Sequence, residues 1–432
     1  MTTATTALQT DRYELTMIDA TLANGRGLRP SVFEAFARRL PGARRYGVVA
    51  GTGRLLDAIE RFRFDHADLA FLRRERVVSD ATLDWLADYR FSGDVRGYGE
   101  GEAYFPGSPL LVVEGTFAEC VVLETLALSV LNYDSAVANA ATRMVQAAKG
   151  RPVAEMGSRR ANEDAAVAAA RAAYIAGFSA TSNLAAGATW GIPTMGTAAH
   201  SFTLLHDSEE EAFAAQVAAL GTGTTLLVDT YDIEQGVETA VRVAGTGLGG
   251  VRIDSGDLVE TAQRVRAQLD ALGATGTRIT VTSDLDEHAI AGLRASPVDA
   301  YGVGTSVVTG SGSPAAGMVY KLVAHQADDG SWVDVAKRSD GKASHGGEKT
   351  AVRTLVDGVA TEETVFVGGE PDTTIGRTLQ VPLVQQGVVV DEHRGPAGVA
   401  AARERCAAAI AELPSDATRL ARGEPVIPTV FR

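Results

Sequence analysis

The chain has 432 residues, of which 45% are hydrophobic and 22% are charged. This length is about three times that of an average domain, so two domains or one large barrel are expected. The apolar fraction is that of a globular protein, which excludes a disordered, collagen-like or disulfide-stapled chain. Lysine and arginine number 40 against 54 aspartates and glutamates, for a net charge of −14. This charge repels a phosphate backbone, so we expect no nucleic acid partner, and an anionic substrate would need a local cluster of cations.

Cysteine usage and the apolar segments favour a cytoplasmic protein. The two cysteines, Cys120 and Cys406, can form neither a four-cysteine zinc site nor a disulfide framework. Residues 1–17 lack the basic region and apolar core of a signal peptide. The best membrane candidate, residues 110–131, carries three glutamates, which are costly in hydrocarbon. We therefore predict a cytoplasmic location and no membrane partner.

The two ends of the chain differ from its middle. Residues 1–150 mix helical segments with strands rich in glycine and aromatic residues, and residues 326–432 contain short strands followed by an alanine-rich helix. We predict that both ends build one antiparallel, β-rich α+β sandwich domain. The predicted strands of this domain are 91–104, 110–117, 332–336, 364–367 and 381–390.

Residues 151–325 repeat one unit, a short apolar run, a polar or glycine-rich turn and an alanine-rich amphipathic helix. This alternation predicts an α/β fold with right-handed βαβ crossovers and a parallel sheet. Seven or eight units would close into an irregular (β/α) barrel, with residues 318–323 as an eighth strand. The first seven predicted strands are 153–157, 176–180, 193–197, 225–229, 250–254, 278–282 and 299–304. The predicted helices are 161–176, 209–220, 233–244 and 258–272.

Polar residues follow nearly every predicted barrel strand. In a parallel barrel these positions meet on the C-terminal rim, where the loops converge on a ligand. We interpret this accumulation as the site of an enzyme. The residues are Ser158–Arg160, Thr181–Asn183, His200–Ser201, Thr230–Asp232, Asp254–Asp257, Ser283–Asp284 and Gly304–Ser306.

His200 lies in the segment GTAAHSF, at the end of a predicted strand. An imidazole at this position can accept a phosphoryl group or act as an acid or base. The alternative is a hydrogen-bonded rim histidine without a chemical role. The other six histidines show no metal-ligand spacing, so we predict no zinc or iron site.

The segment VRIDSGDL (251–258) ends a strand with a cation, two carboxylates and a small turn. Arg252 and Asp254 suit a magnesium-bound diphosphate or ribose hydroxyls. Ser255 and Asp257 can instead cap the helix that begins near residue 258. The loops with Ser283–Asp284 and Gly304–Thr305 either offer N–H groups to a phosphate or form ordinary tight turns.

Two groups of cations stand out in this acidic chain. Arg159 and Arg160 follow the first barrel strand and suit a carboxylate or phosphate, and the alternative is a surface salt bridge to Glu155 or Glu163. A basic, glycine-containing loop could clamp a diphosphate or simply be solvated. Its members are Lys337, Arg338, Lys342, His345 and Lys349.

The ordered set of these segments resembles the nicotinate phosphoribosyltransferase family over nearly the full length. The resemblance implies an incomplete barrel beside a sandwich from both termini, in a homodimer with composite active sites. It implies that nicotinate and phosphoribosyl diphosphate (PRPP) give nicotinate mononucleotide and diphosphate, driven by ATP through a phosphohistidine, with Mg²⁺ as cofactor. The matching segments are TDRYELTM (10–17), EMGSRRA (155–161), FSATSN (178–183), GTAAHSF (196–202), VDTYD (228–232), RIDSGDL (252–258), TSDLDE (282–287), GVGTS (302–306), YKLV (320–323) and the basic loop.

The resemblance also implies roles for single residues. It places the phosphohistidine at His200, and Asp254 on the ribose hydroxyls. Tyr13 would stack on the nicotinate ring from the second subunit, and Arg159 would bind the carboxylate. Asn183 stands where nicotinamide-using relatives carry aspartate, which favours the acid as substrate. The remaining residues of the implied substrate site, which hold the phosphates and the ribose, are Arg252, Ser255, Asp257, Ser283, Asp284, Gly304, Thr305 and Lys342.

Three alternatives remain open at this stage. A sister transferase would use nicotinamide or quinolinate. A phosphate-binding barrel aldolase or isomerase would need a Schiff-base lysine or a glutamate at a strand end, and neither is among the rim residues. A non-catalytic homologue that binds phosphoribosyl ligands would have no use for the phosphoryl acceptor.

Overall fold

The structure is a computed structural model that describes residues 5–337, 345–369 and 371–432. The chain forms two compact units. The terminal unit comprises Met1–Asn139 and Ser313–Arg432, and the central unit comprises Ala140–Gly312. The division predicted from the sequence was 151–325, so the compact unit begins earlier and ends earlier than the predicted barrel.

The described residues contain helices and strands throughout. The strands are β1 (Pro30–Ala37), β2 (Gly47–Val48), β3 (Asp94–Tyr98), β4 (Ala103–Tyr104), β5 (Leu111–Thr116), β6 (Val153–Glu155), β7 (Ala180–Thr181), β8 (Thr225–Leu227), β9 (Gly250–Ile253), β10 (Arg278–Val281), β11 (Ala300–Val303), β12 (Met318–Gln326), β13 (Trp332–Asp334), β14 (Lys349–Val356), β15 (Val359–Val367), β16 (Arg377–Thr378), β17 (Gln380–Gln385), β18 (Val388–Val389) and β19 (Thr429–Phe431). The α-helices are α1 (Arg12–Ala23), α2 (Thr52–Glu60), α3 (His66–Arg74), α4 (Asp80–Ala87), α5 (Phe117–Val121), α6 (Glu124–Ala148), α7 (Glu163–Ile175), α8 (Leu184–Trp190), α9 (His200–Leu205), α10 (Glu209–Leu220), α11 (Ile233–Ala244), α12 (Leu258–Ala271), α13 (Glu287–Gly292), α14 (Thr305–Val308) and α15 (Gly395–Ala411).

A six-stranded parallel sheet forms the core of the central unit, in the order β7-β6-β11-β10-β9-β8. Its strands are short and apolar, as expected of strands covered on both faces, and Val251, Ile253, Ile279 and Val281 are fully buried. The predicted strand at 193–197 is reduced to a single parallel bridge between Thr194 and Thr181. The sheet is therefore a half-barrel.

The eighth strand predicted for the barrel was wrong. Residues 318–326 form β12, which pairs antiparallel with β1 and β13 in the terminal unit. An apolar strand pattern predicts that a segment will be buried, but it does not predict which sheet the strand will join. The predicted barrel therefore lacks this strand.

The helices of the central unit lie close to the bounds predicted from the sequence, because capping residues and alanine-rich runs fix their ends. Side chains of Ser208, Asp232 and Asp257 accept hydrogen bonds from the first turns of α10, α11 and α12. Alanines of α7 pack with almost no exposed surface, which lets this helix lie close to its neighbours.

The terminal unit is built from antiparallel sheets whose strands come from both ends of the chain. One sheet has seven strands in the order β13-β12-β1-β5-β3-β17-β18, another has four in the order β16-β14-β15-β19, and β2 pairs with β4. In the four-stranded sheet β19 runs parallel to β15. The core of the terminal unit contains three aromatic side chains in edge-to-face contact, those of Phe62, Phe64 and Tyr89.

A closed network of ion pairs lies inside the terminal unit. Arg353 on β14 is fully buried, and its Nη atoms lie 2.6 Å from Glu102 Oε1 and 2.6 Å from Glu363 Oε2. Arg377 on β16 extends the network, with contacts of 2.8 Å to Glu102 and 2.6 Å to Glu412. Each buried carboxylate of this group thus faces at least one guanidinium.

One helical stretch of the described chain, Phe117–Ala148, is long and apolar enough to cross a membrane by length and composition alone, with a mean hydropathy of 1.3. It consists of α5 and α6. Within the structure, 67% of its most apolar window is buried, as in the core helix of a globular protein. This stretch is therefore weak evidence for a membrane span.

Candidate active site

A cleft of about 290 Å³ opens at the carboxyl ends of the central strands. It brings together seven residues of the implied active site and Arg160, which the sequence also placed at this rim, and Met156, Thr282 and Gly302 complete its lining. The seven come from the ends of β6, β9, β10 and β11, which are neighbours in the sheet. The predicted residues that line the cleft are Arg159, Arg252, Asp254, Ser283, Asp284, Gly304 and Thr305.

Backbone conformation shapes the cleft where it passes between β10 and β11. A Cβ atom at Gly302 would approach Met156 Sδ to 2.6 Å and Thr282 Cγ2 to 2.7 Å, so a larger residue here would displace these two side chains of the cleft. Ser283 has a φ angle of 100°, a region that residues with a side chain rarely occupy. Strained backbone of this kind is concentrated at functional sites.

The charge balance of the cleft is cationic, in contrast to the whole chain. Arg159 and Arg160 are exposed to solvent, while Arg252 is partly buried and donates a hydrogen bond to Thr197 Oγ1. Burial lowers the pKa of Arg252, as does nearby Arg159, and the carboxylates Asp254 and Asp229 partly oppose this effect. A group of guanidiniums at the end of a sheet suits a phosphate or a carboxylate.

His200, the first residue of α9, faces two residues from the end of β8. Its Nδ1 lies 3.0 Å from Thr230 Oγ1, and its Nε2 lies 3.9 Å from Asp229 Oδ1. The His200 side chain is 40% exposed, whereas that of Asp229 is 1% exposed. The imidazole is therefore held on one side by Thr230 and remains open to solvent.

Asp229 was not among the residues predicted for the site. Its Oδ2 accepts hydrogen bonds from the backbone N–H of Asp254 (2.8 Å) and from the hydroxyl of Ser255 (2.7 Å). Its Oδ1 is buried without a hydrogen-bond partner among the described residues. Asp254 in turn accepts a hydrogen bond from Thr282. Asp229 thus connects His200 with the RIDSGDL turn, and the segment VDTYD could have indicated it.

Glu155 organises the other side of the rim. This fully buried carboxylate accepts hydrogen bonds from the Gly157 N–H and from Thr181 Oγ1, the latter at 2.6 Å. Burial raises its pKa, and these two hydrogen bonds oppose the increase. The sequence alternative that paired Glu155 with Arg159 on the surface is therefore wrong. Glu155 instead ties the turn after β6 to the end of β7.

Asn183 caps a helix at this rim. Its Oδ1 accepts from the Ala186 N–H at 2.9 Å, and its Nδ2 donates to Ser158 Oγ at 3.0 Å. Both ends of the amide are thus engaged within the protein. The adjacent Ser182 is exposed, with its N–H bound to the Glu155 carbonyl at 2.8 Å.

Other predicted residues lie outside the lining of the cleft. Asp257 caps α12 through the N–H groups of Val259 and Glu260, whereas Ser255 binds Asp229 instead of the helix. The capping alternative therefore holds for Asp257 and is wrong for Ser255. Tyr13 lies on α1 of the terminal unit, where it is 46% exposed and hydrogen-bonds Glu124.

The basic loop differs from the prediction. Lys342 and Arg338 lie outside the described residues, so this structure does not place them. Lys349 is a buried strand residue whose Nζ lies 3.0 Å from Glu34 Oε2, and both side chains are 2% exposed. Neither alternative given for the basic loop, a diphosphate clamp or a solvated segment, describes Lys349, because a count of charges does not reveal a buried partner. His345 stacks on Phe431, with 4.0 Å between the ring centres.

Across residues 5–337, 345–369 and 371–432, no cluster of three or more histidine, cysteine, aspartate or glutamate side chains is arranged to hold a metal ion. Two carboxylates of the rim, Asp229 and Asp254, are linked by the hydrogen bond from the Asp254 N–H to Asp229 Oδ2. Hard cations such as Mg²⁺ prefer oxygen ligands and are often held by one or two carboxylates together with substrate phosphates. The unpartnered Oδ1 of Asp229 fits a cation that arrives with a substrate.

Comparisons with known proteins agree with one another. A family model described as the nicotinate phosphoribosyltransferase (NAPRTase) N-terminal domain matches residues 8–132. The chain is 57% identical over 433 residues to a nicotinate phosphoribosyltransferase of Mycobacterium tuberculosis, with 98% of this chain and 94% of that protein covered. A nicotinate phosphoribosyltransferase of Bacillus subtilis is 37% identical over 360 residues, with 81% and 73% covered.

The fold is similar to that of a solved relative. The crystal structure of human nicotinic acid phosphoribosyltransferase superimposes with a TM-score of 0.81 at 26% identity, and the match covers 98% of this chain and 97% of the human chain. The similarity therefore extends over the terminal and the central unit alike.

Proposed function

The chain belongs to the nicotinate phosphoribosyltransferase family, and from this membership we propose that its rim cleft joins nicotinate to PRPP. The pyridine nitrogen forms a bond to C1 of the ribose while the bond from C1 to the diphosphate oxygen breaks. Diphosphate leaves with the electron pair of that bond. The observation that carries the proposal is the cationic cleft that combines Arg159, Arg252 and Asp254 at the ends of adjacent strands.

The residues of the cleft suit the two charges that develop in this reaction. The sugar acquires oxocarbenium character, and the leaving diphosphate becomes more negative. Asp254 is proposed to hold the ribose hydroxyls and to stabilise the positive sugar, while Arg252 binds phosphate. The loops with Ser283–Asp284 and Gly304–Thr305 are proposed to seat the 5′-phosphate. Positioning of the two substrates supplies the rest of the rate increase.

His200 is proposed to take a phosphoryl group from ATP. With its Nδ1 proton donated to Thr230, Nε2 carries the lone pair that attacks the γ-phosphorus, and ADP leaves. Asp229 and Asp254 would hold a Mg²⁺ ion, which neutralises phosphate charge when bound. Hydrolysis of the phosphohistidine then couples ATP to product formation. Ser255 and Asp257 support this corner by orienting Asp229 and the start of α12.

Nicotinate is proposed to bind through its ring and its carboxylate. Arg159 would pair with the carboxylate, and Tyr13 of a second copy would stack on the ring in a cytoplasmic homodimer. Lys342 would contact the diphosphate. Asn183 keeps the rim turn free of negative charge, which favours a substrate that carries its own carboxylate.

The test measures nucleotide formation from PRPP and nicotinate, with and without ATP, and with nicotinamide and quinolinate in parallel. We expect product from nicotinate alone, increased by ATP, and loss of that increase in His200→Ala. The matched control is His206→Ala, because His206 ends the same helix and bonds the Phe202 carbonyl. Turnover of nicotinamide or quinolinate in place of nicotinate, or an undiminished ATP effect in His200→Ala, would contradict the proposal.

A further inference from the structure

Two loops form one side of the cleft, and both are tied to the same buried carboxylate. Ser283 and Asp284 precede α13, and Gly304 and Thr305 begin α14. Glu287 is the first residue of α13, and it was not singled out in the sequence. Its side chain is 5% exposed and does not line the cleft.

Glu287 makes one charged and one neutral contact. Its Oε1 lies 2.9 Å from Arg143 Nε on α6, and its Oε2 accepts a hydrogen bond from Ser311 Oγ at 2.5 Å. Burial opposes the charged form, but the hydrogen bonds from Ser311 and Arg143 lower the pKa of Glu287 below its ordinary value. The group is therefore a carboxylate at neutral pH, and its partner Arg143 lies on the last turns of α6, the part of that helix that belongs to the central unit.

The contact with Ser311 fixes the loop that begins at Gly304. Ser311 has a φ angle of 51°, and its N–H donates to the Ser306 carbonyl at 2.6 Å. The Thr309 N–H donates to the Thr305 carbonyl at 3.1 Å. The hydrogen bonds that start at Glu287 thus reach Ser306, which follows the cleft residue Thr305 directly in the chain.

The loop with Ser283 and Asp284 is held near Glu287 because both belong to the same short stretch of chain. Leu285, two residues before Glu287, is buried, and its N–H bonds the Ser283 carbonyl at 2.8 Å. Asp286 caps α13 through the N–H groups of His288 and Ala289. A displacement of Glu287 would therefore move Ser283 and its neighbour together with the start of α13.

We propose that Glu287, anchored by Arg143 and joined to Ser311, is a positioning residue that sets the spacing between the two loops that bind the phosphoribosyl end of PRPP. This inference rests on the proposed function, since it names the substrate that the two loops bind. Glu287 touches no reacting atom. It acts by holding the backbone N–H groups and side chains of both loops at the separation that one phosphate requires.

The first test is steady-state kinetics of Glu287→Gln. Glutamine keeps the size of the side chain but removes the charge that anchors it to Arg143. We expect the KM for PRPP to rise about tenfold, while kcat and the KM for nicotinate change by less than about twofold. The matched control is Glu34→Gln, which breaks the pair with Lys349 that is buried to a similar degree in the terminal unit. It should lower the melting temperature without changing either KM.

Ser311→Ala provides a milder variant if Glu287→Gln does not fold. It removes the hydrogen bond that Ser311 donates to Glu287, keeps the one from Arg143, and should raise the KM for PRPP about threefold. An unchanged KM for PRPP in the variants, or a parallel rise in both KM values, would overturn the positioning role.

Thermal unfolding of the whole chain in inorganic phosphate separates this inference from the proposed function. Phosphate should raise the melting temperature of the unmodified protein, and Glu287→Gln should need about tenfold more phosphate for the same increase. If transfer to nicotinate is absent but this difference is found, the proposed function fails and the positioning of a phosphate site stands. Equal phosphate dependence in both proteins would overturn the inference.

Discussion

A buried arginine of the terminal unit and a buried aspartate of the central unit differ in how far neighbouring charges neutralise them. In the terminal unit the fully buried Arg353 is matched by Glu102 and Glu363 at 2.6 Å each. At the rim of the central unit the side chain of Asp229 is nearly as well buried, but within the described chain its Oδ1 has no hydrogen-bond partner. Arg353 Nε is also buried without a hydrogen-bond partner among the described residues, but two carboxylates neutralise the charge of Arg353, whereas Asp229 Oδ1 faces His200 Nε2 at 3.9 Å, which is charged only when protonated. The closed network therefore serves the fold, and the open rim serves binding.

Breaking the closed network should have the largest effect. We expect Arg353→Met to lower the free energy of unfolding by about 3–5 kcal/mol, because it leaves Glu363 and part of Glu102 buried without a cation. Urea unfolding measures this change. The paired variant Arg160→Met, at the exposed rim, should leave the unfolding free energy unchanged and weaken substrate binding. Equal stability of the two variants would remove the distinction between the units.

Adding charge to the rim should have an intermediate effect. Ser182→Asp places a carboxylate on an exposed side chain of the turn after β7 and should raise the KM for nicotinate about tenfold by repulsion of the substrate carboxylate. Asn183→Asp should act less, because aspartate can keep the cap on Ala186 and direct its charge there. Both KM values, for nicotinate and for nicotinamide, are measured. Full nicotinate activity of Asn183→Asp, with no gain for nicotinamide, would refute the role proposed for Asn183.

We expect the smallest effect at Glu14, a buried carboxylate of the terminal unit that, unlike Glu102 and Glu363, has no arginine among the described residues as a partner in an ion pair. Glu14 is fully buried and takes its hydrogen bonds from the N–H and hydroxyl of Thr125. Burial raises its pKa to about 7 from 4.5; Glu124 and Asp11 also raise it, and the bonds from Thr125 lower it. The folded state thus holds the proton more tightly than the unfolded chain does. The stability that this provides is complete below pH 4.5 and is lost as the pH rises through about 7.

Glu14→Gln should therefore be more stable than the unmodified protein above pH 7, by an amount on the order of 1 kcal/mol. The difference should disappear below pH 4.5, where Glu14 is neutral in both the folded and the unfolded state. Urea unfolding at a series of pH values measures it. The exposed Glu75→Gln serves as the control, and an equal pH dependence of the two variants would contradict the argument.

The sequence was sufficient to predict the bounds of helices whose ends are marked by capping residues. Helices α10 and α11 match their predicted bounds because Ser208 and Asp232 cap them. The rim residues were found because a parallel sheet places all strand ends on one side. Glu287 was missed because it acts through a contact with Ser311, a residue far away in the chain that no local pattern indicates. Asp229 was missed although it lies two residues after the end of β8, in the segment VDTYD, because its contact with His200 is not visible in the sequence.

The errors also have a common physical cause. The segment at 318–323 is an apolar strand wherever it lies, and only pairing with β1 decides its sheet. Lys349 belongs to a basic run in the sequence, yet its partner Glu34 is far away in the chain. Local composition reports whether a group is apolar or charged, whereas its neighbours are set by the topology of the whole unit.

The pairing of β1 with β12 also affects how the protein is made. The whole central unit lies between these two strands in the chain. In the pairing, Met318 lies opposite Ala37 and His325 lies opposite Ser31. A ribosome adds about 5–20 residues per second, so β1 waits roughly 15 to 60 seconds for this neighbour. During synthesis β5 can cover one edge of β1 early, but the other edge stays open until the central unit has emerged. The nascent chain is therefore most prone to aggregation during that interval, and a chaperone would be expected to act there.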